Sequence, residues 1–144
     1  MIPYSRILDQ QKFLISYEKK SLLGHLDIEL TERCNNACIH CCINQPEQDP
    51  SVAVKEMDSA FIHDLLRQAA ELGAFSVRFT GGEPLLRDDF TELYLYARRL
   101  GLKVILFTNG RRITRELAQL FARIPPGAPV EVSAYDMHAV CYDA

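Results

Sequence analysis

No stretch of the 144-residue sequence is apolar for long enough to cross a membrane; its longest aliphatic and aromatic runs, such as Val104-Ile105-Leu106-Phe107, are only strand-sized. The N-terminus, Met-Ile-Pro-Tyr-Ser-Arg-Ile-Leu-Asp-Gln, carries no apolar segment of signal-peptide length and no small-residue cleavage site. Neither sign of charge dominates. Sixteen Lys and Arg stand against 19 Asp and Glu, a net charge of −3, which argues against a nucleic-acid footprint and a polybasic membrane anchor. Low-complexity tracts and internal linkers are missing as well. What remains is a chain with 48% hydrophobic residues, enough for a buried core, and a length that suits one domain. These absences predict a cytoplasmic protein with no nucleic-acid and no membrane partner.

Cysteine is nearly confined to one place. Four of the five, Cys34, Cys38, Cys41 and Cys42, fall within nine positions, and Cys141 stands alone as an expected half-buried thiol. A secreted disulfide scaffold wants an even count spread along the chain, so this crowding points to metal instead.

Residues 1–25 read as an N-terminal extension, with Phe13–Tyr17 as a candidate strand and Glu18–Ser21 as a turn. From Leu26 the chain alternates between short apolar runs and helical periodicity. Leu26–Leu30 predicts a strand and Ser59–Leu72 a helix, N-capped by Asp58 and stopped by Gly73. Phe75–Thr80 predicts a second strand, Asp89–Leu100 a helix ended by Gly101, and Lys103–Phe107 a third strand buried on both faces. Thr114–Ala122 predicts a helix and Val130–Ala134 a fourth strand. The last three strands begin at 75, 103 and 130, which are 28 and 27 residues apart. That repeat of βα units predicts an α/β fold with a parallel sheet, in which ligands collect where strands end.

Every unusual local feature falls on that rim. After the first strand comes Cys34-Asn35-Asn36-Ala37-Cys38-Ile39-His40-Cys41, a CxxxCxxC loop whose thiolates suit an iron–sulfur cluster. Taken alone, the loop also reads as a zinc knuckle with His40 or Cys42 as fourth ligand. Adjacent side chains in extended backbone point apart, so Cys41 and Cys42 are poorly arranged for one ion, and Cys42 reads as an apolar filler. After the second strand comes Thr80-Gly81-Gly82-Glu83-Pro84. Its glycines permit a close approach of backbone to a ligand, and its carboxylate suits a cationic amine; an ordinary turn is the bland alternative. Thr108-Asn109-Gly110 follows the third strand, and Ser133 lies in the fourth. His25, His63 and His138 lack convergent spacing, and Arg98-Arg99 and Arg111-Arg112 read as solvated helix faces.

Together these features resemble the radical S-adenosylmethionine (SAM) superfamily over residues 26–144. The resemblance implies that Cys34, Cys38 and Cys41 hold a [4Fe-4S] cluster whose fourth iron chelates SAM. Gly81, Gly82 and Glu83 would line the methionine amine site, with Thr108, Asn109 and Ser133 near the carboxylate and ribose. His40 takes the place of the family's aromatic residue before the third cysteine. The implied chemistry is reductive cleavage of SAM to a 5′-deoxyadenosyl radical that abstracts hydrogen from substrate, with electrons from a flavodoxin- or ferredoxin-like partner. The run Gly82–Phe90 and the segment Val130–Asp136 are similar to the branch bearing a C-terminal SPASM extension, whose substrates are peptides or proteins; Cys42 departs from the Tyr common there. Enzymes of small-molecule cofactor or metabolite biosynthesis and a non-catalytic Fe–S binding module are the competing readings.

The resemblance implies a parallel (βα)6 partial barrel that is incomplete in this chain, which carries about the first three and a half βα units. The remaining strands and helices need roughly another 60–80 residues. The 144 residues by themselves are therefore expected to be marginally stable or to associate through the fourth strand, and to form no 5′-deoxyadenosine from SAM. Sedimentation analysis and product assay check this; a well-behaved monomer that cleaves SAM at an enzymatic rate overturns it.

Overall fold

The structure, a computed structural model, describes residues 23–43 and 45–133. The readings of Phe13–Tyr17, Glu18–Ser21, His138, Cys141 and the end of the fourth strand at Ala134 lie outside the described residues. Among those described, no helix is long and apolar enough to cross a membrane.

The chain runs β1 (His25–Thr31), β2 (Arg33–Cys34), β3 (Gln45–Pro46), a short helix α1 (Pro50–Ala53) and α2 (Ser59–Glu71). It continues through β4 (Ser76–Gly81), a 3-10 turn (Pro84–Leu86), α3 (Phe90–Arg99), β5 (Lys103–Thr108), α4 (Arg115–Arg123) and β6 (Glu131–Val132). Local chemistry sets the boundaries. The Asp58 carboxylate accepts from Phe61 N at 2.7 Å and opens α2, and Thr114 caps α4 through Leu117 N. Gly73 and Gly101 follow α2 and α3 with φ of 89° and 83°, a region that favours glycine.

Among the described residues, β1, β4, β5 and β6 lie side by side in that order, and every pair is parallel. The α/β class and the parallel order agree with the sequence reading. Ile28, Phe79 and Leu106 share one row of the register, and Leu26, Val77 and Val104 another. This face packs against Ile62 and Leu66 of α2 and Phe90, Leu93, Tyr94 and Ala97 of α3, forming the core. Apolar periodicity overreached at Phe61 on α2 and at Leu72 just after it, both of which stay exposed.

The other face of the sheet is different. Asp27, Arg78 and Ile105 form one of its rows. Arg78 pairs with Asp27 at 3.0 Å and lies over the Phe107 ring at 4.8 Å. The expectation that the third strand is buried on both faces is therefore corrected: Val104, Leu106 and Thr108 are buried, while Ile105 and Phe107 are half-buried. Among the described residues, helices pack on one face of the sheet. The fourth strand is also shorter than read, two exposed residues paired to Phe107 and Thr108.

A buried polar network ties the end of β1 to the starts of α2 and α3. Arg87 donates to the carbonyls of Leu30 (3.1 Å) and Met57 (2.8 Å), and its Nε and Nη2 bond Asp89 at 2.8 and 2.6 Å. Asp89 also accepts from Ser59 Oγ at 2.6 Å. Bonding from Arg87, reinforced by Ser59 and opposed by burial, holds the Asp89 carboxyl below the usual carboxylate range. Burial alone would raise Glu56, yet bonds from Arg33 and Thr31 and the charges of Arg33 and Arg87 together hold it low.

Removing Arg87 as Arg87→Leu leaves Asp89 without its cation and two buried carbonyls without a donor. A loss of about 3–5 kcal/mol in urea unfolding is expected. Both carboxyls are depressed in the fold, so the stability they contribute is present above the ordinary carboxylate pKa of about 4 and is lost as pH falls through the folded values. The unfolding midpoint should decline with acid in that window, and less steeply in Arg87→Leu; equal slopes would dissociate Asp89 from acid stability.

Candidate functional site

The rim at the carboxyl ends of β1, β4 and β5 brings together Cys34, Glu83, Thr108 and Asn109 of the residues singled out in the sequence. Its foundation is main chain. Gly82 N donates to Thr31 O at 2.7 Å and Glu83 N donates to Arg33 O at 2.8 Å, so the loop after β4 is laid against the start of the cysteine loop. The glycines make that approach possible. A Cβ on Gly81, whose φ is +122°, would meet Thr31 O at 2.2 Å, and one on Gly82 would meet Arg33 O at 2.3 Å. The close approach expected toward a ligand is thus made first to the protein's own backbone.

Glu83 comes next and is fully buried. Its Oε1 accepts from Thr108 Oγ1 at 2.8 Å and from Leu85 N at 3.0 Å, and its Oε2 accepts from Asn109 N at 2.7 Å. A carboxylate has about four acceptor positions, so three are used and one on Oε2 remains. Thr108 Oγ1 also accepts from Gly110 N at 3.0 Å, and Ser133 N donates to Thr108 O at 2.9 Å. Ser133 therefore sits beside Thr108 through backbone pairing.

Cys34 and Cys38 are half-buried, whereas Cys41 and Cys42 are exposed, so Cys42 fills no apolar space. His40 is exposed in the turn that Cys41 N closes onto Cys38 O at 3.1 Å. Cys34 Sγ accepts from Asn36 N at 3.4 Å and faces Asn109 Nδ2 at 3.8 Å. Burial pushes the Cys34 thiol up; the Glu83 and Cys38 charges add to the rise, and the Asn36 and Asn109 bonds oppose it. Asn109 lies between the two groups, its N on Glu83 Oε2 at 2.7 Å and its Nδ2 facing Cys34 Sγ at 3.8 Å. Cys41 Sγ donates to Ile43 O at 2.9 Å. Among the described residues, no three His, Cys, Asp or Glu side chains are gathered to hold a metal ion. The donor set fits an iron–sulfur cluster in kind, three thiols on one loop with N–H donors at the first sulfur. Binding would require the three thiols to come together.

Several residues of this rim carried no signal in the sequence. Arg33 Nε bonds Glu56 Oε1 at 2.6 Å, which also accepts from Thr31 Oγ1 at 2.5 Å. Arg111 and Arg112, read as a solvated helix face, instead reach Asn35, Asn36 and Glu47. Such partners lie up to 76 residues apart, beyond any local pattern. A cavity of about 350 Å³ opens elsewhere, between the 3-10 turn, α3 and α4, lined by Leu85, Phe90, Leu117 and Leu120. It is on the helix-covered side and holds none of the cysteines.

Comparison with known proteins gives this arrangement a context. The profile of the radical SAM superfamily matches residues 28–134. A PqqA peptide cyclase of Xanthomonas oryzae pv. oryzae is 46% identical over 83 residues, 58% of this chain and 22% of the relative. Mycofactocin maturase MftC of Mycolicibacterium smegmatis is 38% identical over 94 residues, 65% of this chain and 23% of the relative. Among solved structures, Streptococcus suis SuiB bound to precursor peptide SuiA superposes with a TM-score of 0.63 at 24% identity, over 86% of this chain and 28% of that one. BtrN superposes with a TM-score of 0.54 at 25% identity, over 72% and 46%. The chain thus spans about a fifth of the length of the curated relatives it matches.

Gly82→Ala should push the loop after β4 off the cysteine loop, because the added carbon meets backbone that cannot turn aside. A cost of about 1–3 kcal/mol is expected, with faster amide exchange at Gly82 and Glu83. Gly101→Ala, whose new carbon meets nothing within 4 Å, should leave those amides unchanged. Equal exchange at Gly82 in the two variants would show that steric overlap does not set this contact.

Proposed function

The chain belongs to the radical SAM superfamily, and from that premise we propose that it is the cluster- and SAM-binding part of a cytoplasmic enzyme that modifies a peptide or protein. In this reading Cys34, Cys38 and Cys41 hold a [4Fe-4S] cluster. When bound, the cluster and SAM supply one-electron cleavage of the S–C5′ bond to methionine and a 5′-deoxyadenosyl radical, which takes a hydrogen atom from substrate. The electron comes from a flavodoxin- or ferredoxin-like partner, and no nucleic acid or membrane is involved.

The chain's own residues bind and orient. The single observation that carries the reading is the buried Glu83 carboxylate, which has one acceptor position left and is linked to Cys34 through Asn109. A cationic amine held there would sit beside the cysteine loop, compensating a buried charge that has only neutral N–H and O–H donors among its hydrogen bonds. Gly81 and Gly82 let the loop that carries Glu83 lie against Thr31 and Arg33, and with Glu83 they are assigned to line the methionine amine site. Thr108 and Asn109 hold the Glu83 carboxylate in place, and with Ser133 they are assigned to the carboxylate and ribose side of SAM. His40, exposed in the turn before Cys41, is assigned to cover the cofactor edge. The peptide class of substrate is supported by the peptide-directed names of the relatives, including a cyclase of a peptide and a structure bound to a precursor peptide.

Anaerobic reconstitution tests the ligand set. About four irons per chain are expected, lost in Cys34→Ala, Cys38→Ala and Cys41→Ala and kept in Cys42→Ala. Iron lost with Cys42 but not with Cys41 would overturn the assignment. Glu83→Gln should keep iron and weaken SAM binding by about 1.5–3 kcal/mol, the size of a lost charged hydrogen bond. Unchanged SAM affinity would return Glu83 to a purely structural role. Iron binding without SAM cleavage in the full-length protein would favour a non-catalytic Fe–S module.

A further inference from the structure

The stretch between the first two cysteines has no helix or strand of its own; Asn35 is in a bend and residues 36–38 are irregular. What holds it comes from the loop after β5. Arg111 N donates to Asn109 Oδ1 at 3.0 Å, which orients the Asn109 amide so that its Nδ2 donates to Asn35 Oδ1 at 2.7 Å. The Arg111 side chain then donates from Nη1 to Asn35 O at 3.2 Å and to Asn36 Oδ1 at 2.9 Å. Asn36 N in turn donates to Cys34 Sγ at 3.4 Å. A chain of bonds therefore runs from the third loop to the first sulfur and is complete in the protein alone.

We propose that Arg111 is a positioning residue, which docks the Asn35–Asn36 arm on the third loop so that Cys34 and Cys38 are presented together to the iron–sulfur cluster. The proposal rests on the cluster ligation given above. A guanidinium suits this docking because its one end reaches acceptors on two successive residues, and its charge strengthens both bonds. Arg111 is exposed, so its contribution to global stability is small. Its effect is local, on an arm that nothing regular supports.

Hydrogen exchange on the full chain without metal reads the docking directly. Arg111→Ala should raise exchange at residues 35–38 about fivefold, consistent with loss of an exposed charge-assisted bond, and leave β4 and β5 unchanged. Arg111→Lys keeps the charge on a shorter side chain and should restore protection only in part. After anaerobic reconstitution, both variants should reach the wild-type iron content, and Arg111→Ala should lose iron to a chelator about fivefold faster. Wild-type exchange in both variants overturns the proposal, and so does faster exchange with an unchanged rate of iron loss. Failure of the wild-type protein to bind iron would sink the ligand assignment instead, while the exchange comparison still decides whether Arg111 docks the arm.

Discussion

Two main-chain hydrogen bonds, Gly82 N to Thr31 O and Glu83 N to Arg33 O, set the geometry on which the rim depends. They extend the pairing of β1 and β4 past the last regular residue and bring two loops of different chemistry into backbone contact. A side chain at position 81 or 82 would overlap a carbonyl carried by the first loop. The separation of the cysteine loop and the loop that carries Glu83 is therefore set by backbone contact. Flexible side chains could not hold two loops to that tolerance without losing conformational entropy.

Below this contact lies a polar layer that the sheet could not do without. Parallel strands end in carbonyls that helices on one face leave uncovered, and Arg87 reaches the one at Leu30. Its charge is matched by Asp89 and, at 3.7 Å, by Glu56, which also binds Arg33 beside Cys34. The same carboxylates that neutralise buried arginines thus join the segment before α2 to the first cysteine. Such networks cost desolvation and offset it by fixing position, which suits the layer beneath a metal loop.

The electrostatics of the rim are graded along the same direction. Glu83 lies deepest, ringed by neutral donors; Cys34 and Cys38 are half-buried; Cys41 is exposed. Arg111 approaches from outside and bonds the loop between them. The third loop therefore serves two neighbours at once, with the Asn109 backbone on Glu83 and its side chain on Asn35. A change in either neighbour has a direct path to the other through one residue.

Periodicity and caps were legible in the sequence because they are local. Asp58 opens α2 through a residue three positions away, Gly73 follows its end, and the βα repeat of 27 to 28 residues places successive loops on one rim. The CxxxCxxC and Gly-Gly-Glu-Pro segments were legible for the same reason, since their residue types and spacings lie within one loop. Only the tertiary structure decided what each loop touches. That Glu83 is satisfied by Thr108 and Asn109, that Arg111 docks Asn35 and Asn36, and that Glu56 meets Arg33 all depend on partners 23 to 76 residues away. Burial of the third strand was misread because residue type reports side-chain polarity, and an apolar Ile105 or Phe107 can stand half-buried on the face opposite the core. A sequence records which groups need partners; the register of a parallel sheet, set across long crossovers, determines which partners arrive.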